Sequence, residues 1–408
     1  MTQFEIKKMF GTFGSRVAVV LLACVVAVSC YLAVSGVEWI NEQGDPETGF
    51  AAIQKLRKAQ EQWEGELNEE KLRSVIQELQ RISATPEAQS RDYNQNDIAY
   101  GWKQGFMPIR DMMNYAYAPN FNTFDYFIAD SVRPEQAGDF YLNRTKLLKE
   151  FLYTGDGKNA FSAAEKEFLV EQYEKIETPF SYTYKEGWSQ LLQNSPTVIM
   201  IAALILGYLV AGIFSNEFRW KSDAILFTTG HGRNSGTAAK IKAGFLVVTG
   251  LYWSAVGVYT LVTLGILGFG GGNCPIQMNM WKCLYNLTYW QTWLLVVIGG
   301  YIGNLFFAFL TMWVSARTRS SLFAVTVPFL LIFIPTVLDN MDVEWISKMV
   351  GLFPDQLLQI SQVMRYFRVY GFGNTVLSAM TILPPLYFLL TAMLVPLMYR
   401  EFRRKQIG

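Results

Sequence analysis

Apolar residues along this chain gather into six long runs, at 17–37, 196–214, 243–269, 291–314, 321–338 and 376–398, and no Asp, Glu, Lys, Arg or His interrupts any of them. A helix needs about 20 residues to cross the hydrocarbon of a bilayer. A helix in the core of a soluble protein keeps a polar stripe toward water, and these runs have none. The pattern predicts an all-α membrane protein with six transmembrane helices.

Between the runs the periodicity becomes amphipathic. In "FEIKKMF", residues 4–10, Phe4, Met9 and Phe10 stand among Lys7 and Lys8, and Arg16 follows. Such a segment predicts an N-terminal elbow helix at the membrane surface, with apolar groups in lipid and cations at the headgroups. A rival reading takes the basic start, the apolar stretch and "AVSC" ending at Cys30 as a secretory signal. The apolar run continues beyond Cys30 and favours an uncleaved anchor.

Residues 38–195 read as a mainly helical domain of their own. Asn68 precedes a helical stripe of Leu72, Val75, Ile76, Leu79 and Ile82 and serves as its cap. Ser162 and Glu165 have capping-box spacing ahead of Phe168, Leu169, Tyr173 and Ile176. The aromatic stretch "YAYAPNFNTFDYFIAD" between them fits packing within the domain better than a binding surface. After the fifth run, 341–370 predicts short amphipathic helices broken at Pro354, re-entrant-like at the outer leaflet or acting as a lid.

Charge sets the orientation. Residues 38–195 hold 17 lysines and arginines against 26 aspartates and glutamates, a formal −9 that the total of +1 conceals. The short connections are basic on alternate crossings: Lys7, Lys8 and Arg16; then Arg219, Lys221, Arg233, Lys240 and Lys242; then Arg317 and Arg319; then Arg400, Arg403, Arg404 and Lys405. By the positive-inside bias, both termini are cytoplasmic and 38–195 is extracellular. The expected organisation is therefore 1–37 as elbow and first span, 38–195 outside, and 196–408 as five further spans. Simple solubility explains the acidic domain first, and attraction of cations or cationic peptides second.

Candidate chemistry is sparse. Cys274 and Cys283 flank the outer loop "CPIQMNMWKC", where they either close a disulfide or stand as free thiols. His231 is the only histidine, and no cysteine spacing suits a metal. The basic, glycine-rich stretch 217–242 invites comparison with a phosphate loop, but Gly236 is followed by Thr237 where a nucleotide loop has lysine, and no strand precedes it. This chain is thus expected to bind no cofactor and to hydrolyse no ATP itself. Spans without ionisable groups also argue against ion-coupled carriers and intramembrane hydrolases. In "NEFRWKSDAILFTTG", Phe218, Ile225, Leu226 and Phe227 alternate with Arg219, Lys221 and Asp223. This amphipathic elbow either inserts into a groove of a cytoplasmic partner or rests on anionic lipid.

The order of these features resembles the permease subunits of ATP-binding-cassette (ABC) transporters, specifically the type-2 exporter family with a large extracellular domain between its first two spans. The connection between spans two and three is similar to that family's "E…L…T.P.GR…..AK", with Glu217, Leu226, Thr228, Thr229, Gly232, Arg233, Ala239 and Lys240 in place. It departs where the family has proline, since Gly230 and His231 stand there. The resemblance covers 1–37 and 196–408. It implies a bacterial plasma-membrane exporter subunit that is not itself an enzyme, working with cytoplasmic ABC ATPases that use ATP and Mg, and with a second permease chain, identical or related. Nucleic acid is not an expected partner. Loop 215–240 would carry the coupling contact, with Glu217, Phe218, Arg219, Phe227, Arg233 and Lys240 as its residues. Systems of antimicrobial-peptide resistance and sodium extrusion share this layout, so an amphipathic peptide or lipid-linked substrate is expected. A membrane sensor or scaffold with a ligand-binding outer domain, and a gradient-driven carrier, are the competing readings.

Overall fold

The computed structural model describes residues 1–228, 232–338, 344–373 and 375–404. A surface helix α1 (Thr2–Met9) turns into α2 (Phe13–Ser35), whose N-cap Thr12 accepts from the Ser15 amide. A short antiparallel pair, β1 (Glu38–Ile40) and β2 (Pro46–Thr48), leads into α3 (Phe50–Glu61). The strand β3 (Gly65–Glu66) pairs across the whole domain with β4 (Ser181–Tyr182), which brings the domain's two ends together.

Between those strands lie α4 (Glu69–Ser83), α5 (Pro86–Gln89), α6 (Tyr93–Lys103), α7 (Met107–Ala116), α8 (Ile128–Ser131), α9 (Phe140–Tyr153) and α10 (Ala163–Glu174). The expected caps are present. Asn68 Oδ1 accepts from the Lys71 amide at 2.9 Å, and the stripe from Leu72 to Ile82 is buried. Ser162 and Glu165 close a reciprocal capping box. The domain is fastened to the connection that follows α13 (Thr237–Leu267), not tethered loosely. Arg144, almost wholly buried, donates to the Trp281 and Cys283 carbonyls at 3.3 and 3.1 Å. Arg57 donates to Leu267 O at 2.7 Å, and the Tyr173 hydroxyl to Lys282 O at 2.9 Å.

Cys274 and Cys283 are separate thiols, both buried. A disulfide between them is therefore not formed here. Each is held by its own turn: Cys283 N donates to Met280 O, and Cys274 N donates to Gly271 O. Burial pushes the Cys283 thiol up to about 11, so it is protonated and inert.

Six helices are long and apolar enough to cross a membrane: α2, α11 (Glu186–Arg219), α13 with the turn before it, α14 (Tyr289–Thr318), α15 (Ser321–Leu338) and α18 (Ala379–Arg403). The second of them starts at Glu186, well before the apolar run, with Pro196 inside it. Of the polar residues in these first turns Ser189, Gln190 and Ser195 are buried, while Gln193 is exposed. The apolar stretches of α11 and α14 are 61% buried, against 22% for α15 and α18, so α11 and α14 form the centre and the others the rim. Ser315 Oγ donates to Ala211 O at 2.5 Å and stitches that central pair.

A short α12 (Asp223–Thr228) follows α11. Beyond α15 come α16 (Glu344–Val350), a 3₁₀ turn at Pro354–Gln359 and α17 (Ile360–Val363). The break falls at Pro354 as the sequence predicts; 341–343 lie outside the described residues. Gly299 and Gly303 on α14 form the seat for this segment. A Cβ at Gly299 would overlap Ile360 Cδ1, and one at Gly303 would lie 2.9 Å from Leu358 Cδ2. A hairpin of β5 (Val369–Phe372) and β6 (Thr375–Ser378), which the apolar pattern does not announce, then feeds α18.

Candidate functional site

Helix α1 and the last turns of α18 meet the end of α11 and the start of α13 at one end of the bundle. Glu217 sits in the last turns of α11 and Lys240 in the first turns of α13. Each opposes its own helix dipole, since a carboxylate is disfavoured at a C-terminus and an ammonium at an N-terminus. They are kept by pairing. Lys240 Nζ donates to Glu217 Oε1 at 2.5 Å and to Glu5 Oε2 at 2.8 Å. Lys8 Nζ also reaches Glu217 Oε1, and Ser222 Oγ donates to Glu217 Oε2 at 2.5 Å.

The four charges alternate, Lys8–Glu217–Lys240–Glu5, and cancel. Lys240 is fully buried and Glu217 nearly so. A buried charge without a partner costs several kcal/mol, so the network holds only while α1, α11 and α13 stay together. Glu5 and Lys8 were not among the expected coupling residues, although Lys8 was read as a cation of the elbow. Their signal is the opposite-charge pair three apart on the helix face of "FEIKKMF".

A ring cluster lies beside the charges. Phe402 of α18 stacks within 4.7 Å of Phe214, 5.3 Å of Phe227 and 6.0 Å of Phe218, measured between ring centroids. Cations cover its edges: Arg319 lies 4.6 Å over Phe218, and Arg233 lies 4.9 Å over Phe227. Arg233 Nη1 also donates to Arg403 O at 3.1 Å, which caps the end of α18. The turn Gly232–Gly236 is π-helical, an irregularity that recurs at functional positions.

The six anticipated contact residues therefore take different parts. Glu217, Phe227 and Lys240 are internal, Phe218 and Arg233 are half-buried, and Arg219 is exposed. Trp220 and Lys221 at the end of α11, and Asn234 and Ser235 ahead of α13, are exposed too, and with Arg219 they make up the outward ridge of this connection. Thr229, Gly230 and His231 lie outside the described residues, as does the Leu226 side chain. Lys7, Lys242, Arg317 and Arg403 are also exposed around this end and make the face basic. A cavity of about 470 Å³ opens beside the ridge between α1, the end of α11 and the start of α15, lined by Glu5, Lys8, Tyr208, Asn216 and Arg219.

This arrangement has the parts of a mechanical joint. Among the described residues no cluster of His, Cys, Asp or Glu is spaced to hold a metal ion. Comparisons with family models, curated proteins and solved structures gave no match to the chain.

Proposed function

We propose that this chain is the membrane-spanning permease subunit of an ATP-driven ABC exporter. In this reading it lies in a bacterial plasma membrane with both termini cytoplasmic and residues 38–195 outside. Separate ATPase subunits, loaded with ATP and Mg, press on the ridge Arg219–Lys221 and Asn234–Ser235, and a second permease chain completes the pathway. The surface helix α1 acts as the elbow.

The observation that carries this reading is the charge lock Lys8–Glu217–Lys240–Glu5 directly beneath an exposed basic ridge. A push on the ridge moves α1, α11 and α13 as one body, because separating them would strand buried charges. The ring cluster passes the same displacement to α18. Rigid-body switching between two packings is how such bundles open and close. The six apolar runs hold no Asp, Glu, Lys, Arg or His that could couple transport to a proton or sodium gradient, which supports an external driving force.

The test uses surface variants, because Phe227 and Arg233 also support the fold. Arg219→Glu combined with Trp220→Glu is expected to lower recovery of the ATPase with the tagged chain at least tenfold while the unfolding midpoint stays put. Unchanged recovery and unchanged transport would refute the contact. The sensor reading retains one specific observation in its favour, a polar cavity at the domain end. It predicts full function with no ATPase bound.

A further inference from the structure

The cavity of about 470 Å³ at the α1 end of the bundle is walled by the start of α2 as well as by α1, the end of α11 and the start of α15. Its size falls within the range of small-molecule sites. Along α11, Tyr208, Gly212, Asn216 and Arg219 follow one another at three- or four-residue steps. They therefore share one helix face, which runs for about 16 Å at 1.5 Å per residue. Two glycines keep this face open. A Cβ at Gly212 would collide with Asn216 Nδ2, and one at Gly14, across on α2, would collide with the Tyr208 hydroxyl.

The polar side chains here are donors without acceptors. Arg219 is exposed and enters no hydrogen bond or ion pair with a described residue. The Asn216 amide and the Tyr208 and Ser321 hydroxyls, which also line the cavity, find no acceptor among the described residues either. The one carboxylate on the lining is already engaged, since Glu5 accepts from Lys240 at 2.8 Å. Lys8 is balanced by Glu217, yet its ammonium has three hydrogens and gives only one to that carboxylate. Because the four charges of the lock cancel, Arg219 is the uncompensated charge on the cavity wall. Spare donors around a single net positive charge complement an anion that carries a single negative one.

The rest of the wall is apolar, formed by Leu209, Ile213, Leu322 and Val325. Leu322, Phe329 and Phe333 are exposed and lie on one stripe of α15, which starts at the cavity and runs into the depth of the membrane. Polar donors at the helix ends and an apolar track leading away from them match the two halves of a lipid. We infer that this cavity holds an anionic phospholipid of the leaflet in which α1 lies. Its phosphodiester sits between Arg219 and Lys8, and one acyl chain follows the α15 stripe. A guanidinium suits two phosphate oxygens at once, and basic pockets between spanning helices take anionic headgroups. A free phosphate ester would meet the donors but leave Ile213, Leu322 and Val325 uncovered. The inference does not rest on the permease reading, since binding requires neither nucleotide nor partner, and Arg219 is the one lining residue shared with the ridge.

The experiment uses the full chain, purified in a neutral detergent without nucleotide or partner. Native mass spectrometry measures binding of dioleoylphosphatidylglycerol, of zwitterionic dioleoylphosphatidylcholine, and of glycerophosphoglycerol, the deacylated headgroup. One phosphatidylglycerol per chain is expected, held at least tenfold more tightly than phosphatidylcholine and than the headgroup alone. Arg219→Gln is expected to weaken it about tenfold. Gly14→Leu, which fills the cavity from α2 and leaves the ridge untouched, is expected to do the same without altering recovery of any partner. Lys242→Gln, which removes an exposed cation at the same end but outside the cavity, is expected to change nothing. Arg219 is on the surface, so its variant folds even if Gly14→Leu does not. Equal binding of the two lipids, headgroup binding as tight as lipid, indifference to Arg219→Gln, or an equal loss with Lys242→Gln would overturn the inference.

Discussion

Replacing Lys240 with Met tests the charge lock by removing the one member with no exposure at all. Glu217 would keep Lys8 and Ser222, while Glu5 would lose the lysine it faces at 2.8 Å. Breaking a buried pair by removing one partner costs about 3–5 kcal/mol, and the partners left to Glu217 put this variant near 3. Glu217→Gln removes the hub, taking the carboxylate from Lys8 and leaving the buried Lys240 with Glu5 alone, so it belongs near 5. Unfolding entropy of about 2.1 cal/mol/K per residue over 408 residues is about 0.9 kcal/mol/K. The expected falls in midpoint are then about 3–4 °C for Lys240→Met and about 5–6 °C for Glu217→Gln. The double variant is expected to lose less than the sum of the two singles, because both break the Lys240–Glu217 contact. Thermal unfolding of the full chain in detergent, followed by tryptophan fluorescence, reads all three. Strictly additive losses, or single variants within about 1 °C of the parent, would refute the lock.

Three further outcomes are expected. Gly299→Val should unseat the Pro354–Val363 segment, at a cost of about 1–3 kcal/mol for forced overpacking, read as a lower midpoint and faster proteolysis within 344–373. Asp355 has its carboxyl raised to about 7, burial outweighing the Gln359, Gln356 and Arg368 contacts. A raised folded pKa means stability is full below the unfolded value near 4, declines as pH rises, and is lost above 7; Asp355→Asn should flatten that slope and leave the protein more stable than the parent at pH 8. Cys274 and Cys283 should resist a water-soluble maleimide at pH 7.5 until the chain is unfolded, with no mobility change on reduction; a reduction-sensitive band would overturn the description of separate thiols.

Local rules made much of the fold legible. Asn68 and Ser162 announce their helices because a cap acts within one turn, and the stripe from Leu72 to Ile82 reads directly as a buried face. The six spans follow from length and apolarity alone. What escaped was tertiary. Nothing near Glu186 says that the turns before Pro196 are helical, since their polar side chains show no apolar period and the burial of Ser189, Gln190 and Ser195 depends on tertiary contacts. The hairpin Val369–Ser378 is too short to show a period.

The junction was half legible. Its basic, glycine-punctuated segment marked the place, but the division into buried lock and exposed ridge depends on partners far away in the chain. Lys8 and Glu217 are 209 residues apart, Glu5 and Lys240 are 235 apart, and Phe402 arrives from the last helix. Amphipathic spacing left Phe227 facing either a partner or lipid, and the resemblance made it a coupling contact. The ring of Phe402 instead covers it from within.

The central claim is that the bundle is driven from outside through the ridge at Arg219 and Trp220. Mild-detergent purification of the tagged full chain from its native membranes, with identification of every co-eluting protein, tests it most directly. The account predicts a near-stoichiometric partner that carries a nucleotide phosphate-binding loop and hydrolyses ATP, and that is lost with Arg219→Glu/Trp220→Glu. A chain that purifies alone, hydrolyses no ATP, and moves a solute against its gradient in nucleotide-free vesicles would contradict it.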